Sequence, residues 1–352
     1  MALSKRGKVA VAVVGVLVVV GAGVGVYAAA TGDSPADIAK AIPVFRDPPA
    51  CPLTGVEAPG GEIPDRPVAA VKVENTTEAL PQVGLDDADI VYEELVEGGI
   101  TRFIVLFQCH DAPRVGPVRS ARTTDPGVLL QYDRAILAYS GGTNKVQKLV
   151  DRSGLYAFNE TTGGNAFERD AGRAEPHNLF VSVPKLRKLA GHKAQKQGAP
   201  DAAFDYGDIA GKSKKATHLG MTFSTLNSVA WDWSRKDGVW VRSDNGEPNV
   251  LEDGTPVTAD NIVVQYVKVT TGDIHDVTGS PSPEVALTGH GKAYVFRDGR
   301  VVPATWERGS VDDRTSYSTK DGDPVNLTPG QTWVELYPAK GDFANASIEF
   351  GK

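Results

Sequence analysis

Four arginines crowd one stretch of the chain. Arg114, Arg119 and Arg122 fall within RVGPVRSAR (114–122), and Arg102 lies on the apolar segment just upstream, ITRFIVLFQC (100–109). A guanidinium is a planar fork that grips carboxylate or phosphate oxygens in pairs. Arginines grouped around the Gly116-Pro117 turn therefore either brace the fold through ion pairs or hold an anion. Carboxylates for the first role are close by: Glu93, Glu94 and Glu97 precede Gly98-Gly99. For the second role, a helix beginning at Ser120, with Ser120 as its cap, would place Arg122 in the first turn and aim free N–H groups alongside Arg119. The candidate ligand-binding residues are thus Arg102, Arg119, Arg122, Ser120, Glu93 and Glu94. Glu93 and Glu94 point to opposite faces if their segment is extended.

The loop GRAEPHNLF (172–180) adds Asn178 to the binding set and supplies an acid–base candidate, His177. Imidazole titrates nearest neutrality; Glu97 is the second candidate, and a structural role stays open for both. Glu93 or Glu97 could instead join Asp111 around a divalent cation. His275, Asp276 and His290 lack metal-ligand spacing, so neither a transition metal nor a resident cofactor is expected. The chain has no Gly-x-Ser-x-Gly elbow, Walker loop or His-Glu-x-x-His. A net charge of -7 argues against nucleic acid as a partner.

The elements that must position these residues follow from the patterning. Lys5, Arg6 and Lys8 precede a run from Val9 to Ala30 that carries no charge. About 20 apolar residues span a bilayer, and a basic flank stays cytoplasmic. The expectation is a cytoplasmic flank (1–8), a single transmembrane signal anchor in the plasma membrane (9–30), and an extracytoplasmic remainder. The three alanines 28–30 leave cleavage as the alternative. Residues 31–64, rich in Gly, Pro, Asp and Ala, suggest a flexible tether. The two cysteines, Cys51 and Cys109, are expected to form one disulfide in that compartment.

Beyond the tether the texture changes once. Over 65–205, strand signals (67–74, 100–109, 133–142) alternate with helical spacing (123–133, 143–153, 184–197), which predicts an α/β (or α+β) domain holding the arginines. Over 213–345 the pattern is β-rich. Hairpins are predicted around Lys236-Asp237-Gly238 and Asp298-Gly299, with further strands at 261–270 and 331–339. All five tryptophans lie in this half, either as core or as a glycan-stacking platform.

Together, RPVAAVKVEN, PQVGLDDADIVYEELVEGGITRF, GPVRSAR and PHN resemble the YerB-like family of bacterial extracytoplasmic proteins, over about residues 66–340. The resemblance implies a two-part domain outside the plasma membrane, often lipid-anchored, and no settled activity. A spanning segment here stands in place of a lipobox cysteine. The order of VEN (73–75), ITRF (100–103) and PVRS (117–120) is also similar to the LytR-CpsA-Psr phosphotransferases, with Glu74, Arg102 and Arg119 as counterparts. That likeness implies a polyprenyl pyrophosphate held by arginines and a divalent cation such as Mg²⁺. Ser120 stands where that family has an acid, and no Asp follows Arg102.

The expected function is a membrane-anchored envelope protein binding an anionic ligand, such as a phosphate-bearing glycan or lipid-linked precursor. The alternatives are a metal-assisted phosphotransferase or hydrolase acting on such a ligand, and a structural partner of cell-wall synthesis proteins. Convergence of Arg102, Arg119, Glu94 and His177 in one open pocket would favour the binding and the enzymatic readings alike. Arginines that are buried and paired would favour the structural role.

Overall fold

The computed structural model describes residues 16–20, 23–27, 48–276, 278–341, 343 and 346–351. The basic flank (1–8), most of the apolar run 9–30 and the first part of the tether lie outside the described residues. Val16–Val20 and Gly23–Tyr27 pair as an antiparallel ribbon. Among the described residues no helix is long and apolar enough to cross a membrane.

Pro48–Lys352 forms a compact unit. Its first residues do not behave as the tether that their composition suggests. Cys51 and Leu53 are buried, and Cys51 is bonded to Cys109 with Cα atoms 6.0 Å apart. Burying Leu53 against the sheet and closing this bridge pin residues 48–64 to the body.

The first half supplies β1 (Ala69–Asn75), β2 (Ile90–Leu95), β3 (Thr101–Phe107), β4 (Ile136–Tyr139) and β5 (Tyr156–Asn159). It also supplies α1 (Thr124–Leu129), α2 (Asn144–Arg152), a short antiparallel pair of β6 (Phe167–Arg169) and β7 (Leu179–Val181), and α3 (Val183–Gln195). β1, β2 and β3 are buried along their whole length. Such strands need cover on both faces, and their near-continuous apolar runs provide for it.

The second half builds two things. β8 (His218–Ser224), β9 (Asn227–Ser234), β10 (Val239–Asp244) and the C-terminal β16 (Ser347–Gly351) make a separate antiparallel sheet. β11 (Asn261–His275), β12 (Pro281–Val285), β13 (Gly289–Arg297), β14 (Arg300–Arg308) and β15 (Thr332–Gly341) join the strands of the first half. β15 pairs in parallel with both β11 and β2, so one sheet runs β14-β13-β11-β15-β2-β3-β1-β4-β5. The change of texture near residue 213 therefore does not divide the sheet. Trp333, Val334 and Leu336 are buried on alternate faces of β15, which only a central position satisfies.

The β13–β14 hairpin turns at Asp298 (φ 51°) and Gly299 (φ 65°). Two successive left-handed residues match the twist of a two-residue hairpin, and Gly bears that φ without steric cost.

One core fills the space between the two sheets, with Val71, Val73, Phe103, Trp231, Trp240 and Trp333; α3 packs on the same side through Val183 and Leu186. The other core lies on the opposite face, under α1 and α2, with Ala70, Ile104, Leu106, Val128 and Val146. Trp231, Trp240 and Trp333 are fully buried and linked by edge-on ring contacts to neighbours, and Trp306, nearly buried, donates to the Tyr266 carbonyl. Packing, not a surface platform, is their role. Arg242 is fully buried between the sheets, paired with Glu93 (2.7 Å), Asp244 (2.8 Å) and Glu335 (3.5 Å). Burial, reinforced by Glu93 alongside, pushes the Glu335 carboxyl well above its usual range.

Candidate anion site

The site lies on the helix-covered face of the large sheet. In the ladder of β2, β3 and β1, Arg102 stands opposite Glu94 on one side and Glu74 on the other. Directly opposed residues share a face, so Glu74, Arg102 and Glu94 point the same way, as does Lys72 two residues before Glu74. Lys72 is fully buried and bridges Glu94 and Asp125 of α1, the latter at 2.8 Å. Burial, opposed by Lys72 and aided by Asp125, raises the Glu94 carboxyl above its ordinary value.

Above this layer sit three arginines. Arg122 grips Glu97 through Nε (2.7 Å) and Nη2 (2.5 Å). Ser282 of β12 donates to the other Glu97 oxygen, so the second half closes over this pair. Burial would raise the Glu97 carboxyl, but Arg122 and the Ser282 hydroxyl outweigh it and hold it below its usual value. Arg119 Nε lies 3.1 Å from Glu74 Oε1, in an ion pair whose angle is too poor for a hydrogen bond. His177 Nδ1 lies 2.9 Å from the second Glu74 oxygen.

Arg102 is different. It is 6 % exposed, and Nη1 donates to the Ser120 carbonyl at 3.1 Å. Its Nε has no hydrogen-bond partner among the described residues. The carboxylates around it are engaged elsewhere: Glu94 by Lys72, Glu74 by Arg119 and His177, Glu97 by Arg122. Burial, with Arg122 and Arg119 nearby, pushes its pKa down to about 10, against the pull of Glu97 and Glu74. It stays charged at neutral pH.

The backbone around Ser120 adds a second feature. The Ser140 N–H donates to the Arg119 carbonyl (3.0 Å), and the Ala121 N–H to the Gly141 carbonyl (2.9 Å). The arginine segment thus lies against the loop Ser140–Thr143, which joins β4 to α2 at the carboxyl ends of the parallel strands β1 and β4. Thr143 caps α2. A Cβ on Gly141 would meet no atom within 4 Å, so that side of the loop is open. The carboxyl ends of parallel strands are where open α/β sheets bind ligands.

The structure brings together Arg102, Arg119, Arg122, Ser120, Glu97 and His177. Glu94 shares their face but is locked to Lys72. Two candidates, and the fourth arginine of the cluster, fall elsewhere. Glu93 faces the other sheet, bound by Arg242 and by the Thr101 hydroxyl (2.6 Å). Asn178 is turned into its own loop, accepting from Arg169 (2.7 Å). Arg114 stacks on the Phe180 ring at 3.7 Å and pairs with Asp170 and Glu252. Ser120 is not a helix cap either. α1 begins at Thr124, and the Arg122 N–H donates to the Asp125 carboxylate (2.8 Å). Lys72, Gly141 and Thr143 were missed from sequence; the SerGlyGlyThr run between a strand and a helix was the available signal for the last two. Among the described residues no group of three His, Cys, Asp or Glu side chains could hold a metal ion. Glu74 and Glu97 each spend an oxygen on an arginine, and Asp111 pairs with Arg66 and Arg187.

Residues 53–198 match the family profile "Protein of unknown function (DUF3048) N-terminal domain" and residues 219–334 its C-terminal counterpart. The chain belongs to the DUF3048 family. It is 30% identical over 307 residues to "Putative lipoprotein YerB" of Bacillus subtilis (strain 168), covering 86% of this chain and 89% of that relative. The crystal structure of Bacillus subtilis YerB superimposes with a TM-score of 0.72 at 28% identity, over 86% of this chain and 99% of the crystallised one. One profile falls on each half of the chain.

Proposed function

We propose that the chain is a membrane-anchored, extracytoplasmic binding module of the bacterial envelope that holds a phosphate-bearing ligand at Arg102, Arg119 and Arg122. The description of YerB as a lipoprotein and the charge-free run 9–30 support the location. One observation carries the ligand: Arg102 is buried, charged and without a carboxylate of its own. Three guanidiniums share two carboxylates in the outer layer, Glu74 and Glu97, which leaves one positive charge for an anion. The deeper Lys72 faces two carboxylates, Glu94 and Asp125, so the cluster as a whole balances and the unmatched positive charge is local to the outer layer. Bidentate phosphate contacts would satisfy the idle Arg102 Nε and use the open side of Gly141.

The test is thermal melting of the 48–352 body with pyrophosphate. A ligand at a hundred times its Kd stabilises by about 2.7 kcal/mol, which reads as a rise of a few degrees. Arg119→Ala, at a partly exposed position, should abolish that rise and leave the protein folded, because His177 and Thr76 remain on Glu74. An Arg119→Ala protein that fails to fold, together with a wild type indifferent to anions, would make the arginines braces and support the structural alternative.

The enzymatic reading has one observation in its favour, the Glu74–His177 contact. A buried carboxylate on Nδ1 fixes the tautomer and leaves Nε2 as a base. Hydrolysis of a chromogenic phosphodiester that is lost in His177→Asn, with the pyrophosphate shift retained, would establish it.

A further inference from the structure

On the same face of the sheet, a shallow open cavity of about 510 Å³ lies between α1 and α2. Pro126, Leu130 and Leu149 make its apolar surface, and Lys145, Lys148 and Arg152 contribute charge. On α2 the lining positions 145, 148, 149 and 152 recur at three- and four-residue spacing, one stripe of the helix. Val146 and Val150 turn the opposite way into the core. Leu149 is 38% exposed, which is high for a large aliphatic side chain. No carboxylate lines the cavity, and none of the three cations makes an ion pair among the described residues. This concentration of unpaired positive charge stands on a chain of net charge -7.

We propose that this groove docks onto the anionic phospholipid surface of the membrane that holds the chain. Two arguments select that occupant. The first is chemical: cations beside exposed aliphatic groups match a phosphate headgroup layer with acyl chains beneath it, the pattern of interfacial amphipathic helices. The second is the length of the chain before the body. Residues 31–47, seventeen in all, separate the charge-free run from the first described residue of the body. At 3.3–3.6 Å per residue they reach at most about 60 Å. A span at 9–30 therefore keeps the groove at high effective concentration beside lipid. The inference rests on reading that run as an anchor, and the test separates the two.

The native cysteines are bonded to each other and no other cysteine exists. Leu149→Cys in the full chain therefore takes one environment-sensitive fluorophore inside the groove. Flotation and probe emission are compared on phosphatidylcholine vesicles and on vesicles with phosphatidylglycerol added. The expected result is flotation on both, with a blue shift and quenching by headgroup-labelled lipid only where phosphatidylglycerol is present. Basic residues near an anionic surface contribute about fivefold each to binding. Lys145→Glu/Lys148→Glu, at two exposed positions, should thus cut the fraction of docked probe at least tenfold without lowering the melting temperature. Flotation on both with an unresponsive probe, or an equal response on neutral lipid, overturns the docking surface and leaves the anchor standing. Flotation only with phosphatidylglycerol supports the groove and removes the anchor. Flotation on neither removes both. A probe that answers a soluble acidic peptide but not lipid would make the groove a protein-docking site and overturn the proposal.

Discussion

Lys72→Met should destabilise the body by about 3–5 kcal/mol, the cost of leaving buried charge without its partner. Lys72 is the common counter-ion of Glu94 and Asp125, and all three are shut away from solvent. Methionine fills a similar volume, so cavity formation adds little, and the loss is electrostatic. The effect has a pH signature. Without Lys72, the pair of carboxylates retains a proton in the folded state to a higher pH than in the unfolded chain. A raised folded-state carboxyl pKa adds stability as pH falls, down to the unfolded value near 4.5. The variant should therefore be weakest relative to wild type near pH 7 and recover toward pH 5. Urea unfolding at both pH values reads this directly. Adding Glu94→Gln, which removes one of the stranded charges, should restore part of the loss at pH 7. A variant within 1 kcal/mol of wild type at pH 7 would mean that Lys72 is not the keystone of this layer.

Replacing both cysteines with serine should cost about 4 kcal/mol, the chain-entropy value for a closed loop of this size. The cysteines are separated by 58 residues, and the loop between them contains β1, β2 and β3. The folded structure around Cys109 has other supports. The buried Asp89 carboxylate accepts the N–H groups of Gln108 and Cys109, and Arg66 donates to their carbonyls at 2.6 and 3.0 Å. The loss should therefore act chiefly through a freer unfolded chain. The urea m-value should rise slightly as that chain expands, and amide exchange in β3 should slow or quicken only with global stability. A midpoint change worth less than about 1 kcal/mol would show that residues 48–64 are held by Leu53 and its neighbours alone.

Much of the fold was legible because local chemistry agreed with the final packing. Apolar runs at 67–74 and 100–109 became β1 and β3, Pro184 opened α3, and Asp298-Gly299 made its hairpin. What stayed hidden depended on distant residues. Nothing local distinguishes Lys72 in VAAVKVEN from an outward strand lysine; its burial follows from Asp125, 53 residues later, reaching it from α1. The texture change near residue 213 suggested separate domains, yet β15 returns to pair with β2 and continues the first-half strands into one sheet. Strand alternation sends Glu93 to Arg242, whereas the arginine segment is fixed by the Arg119 N–H on the Lys72 carbonyl (2.8 Å) rather than by a helix. For that reason the expected cap at Ser120 is absent, and the helix that follows the arginines, α1, begins only at Thr124.

The central claim is that Arg102 and Arg119 hold an oxyanion. Soaking crystals of the 48–352 body in tungstate, a tetrahedral oxyanion with strong anomalous scattering, tests it in a single map. An anomalous peak is expected within hydrogen-bond reach of the Arg102 and Arg119 guanidiniums and should disappear in crystals of Arg119→Ala. Peaks on exposed lysines alone, with none at these arginines in the wild type, would contradict it.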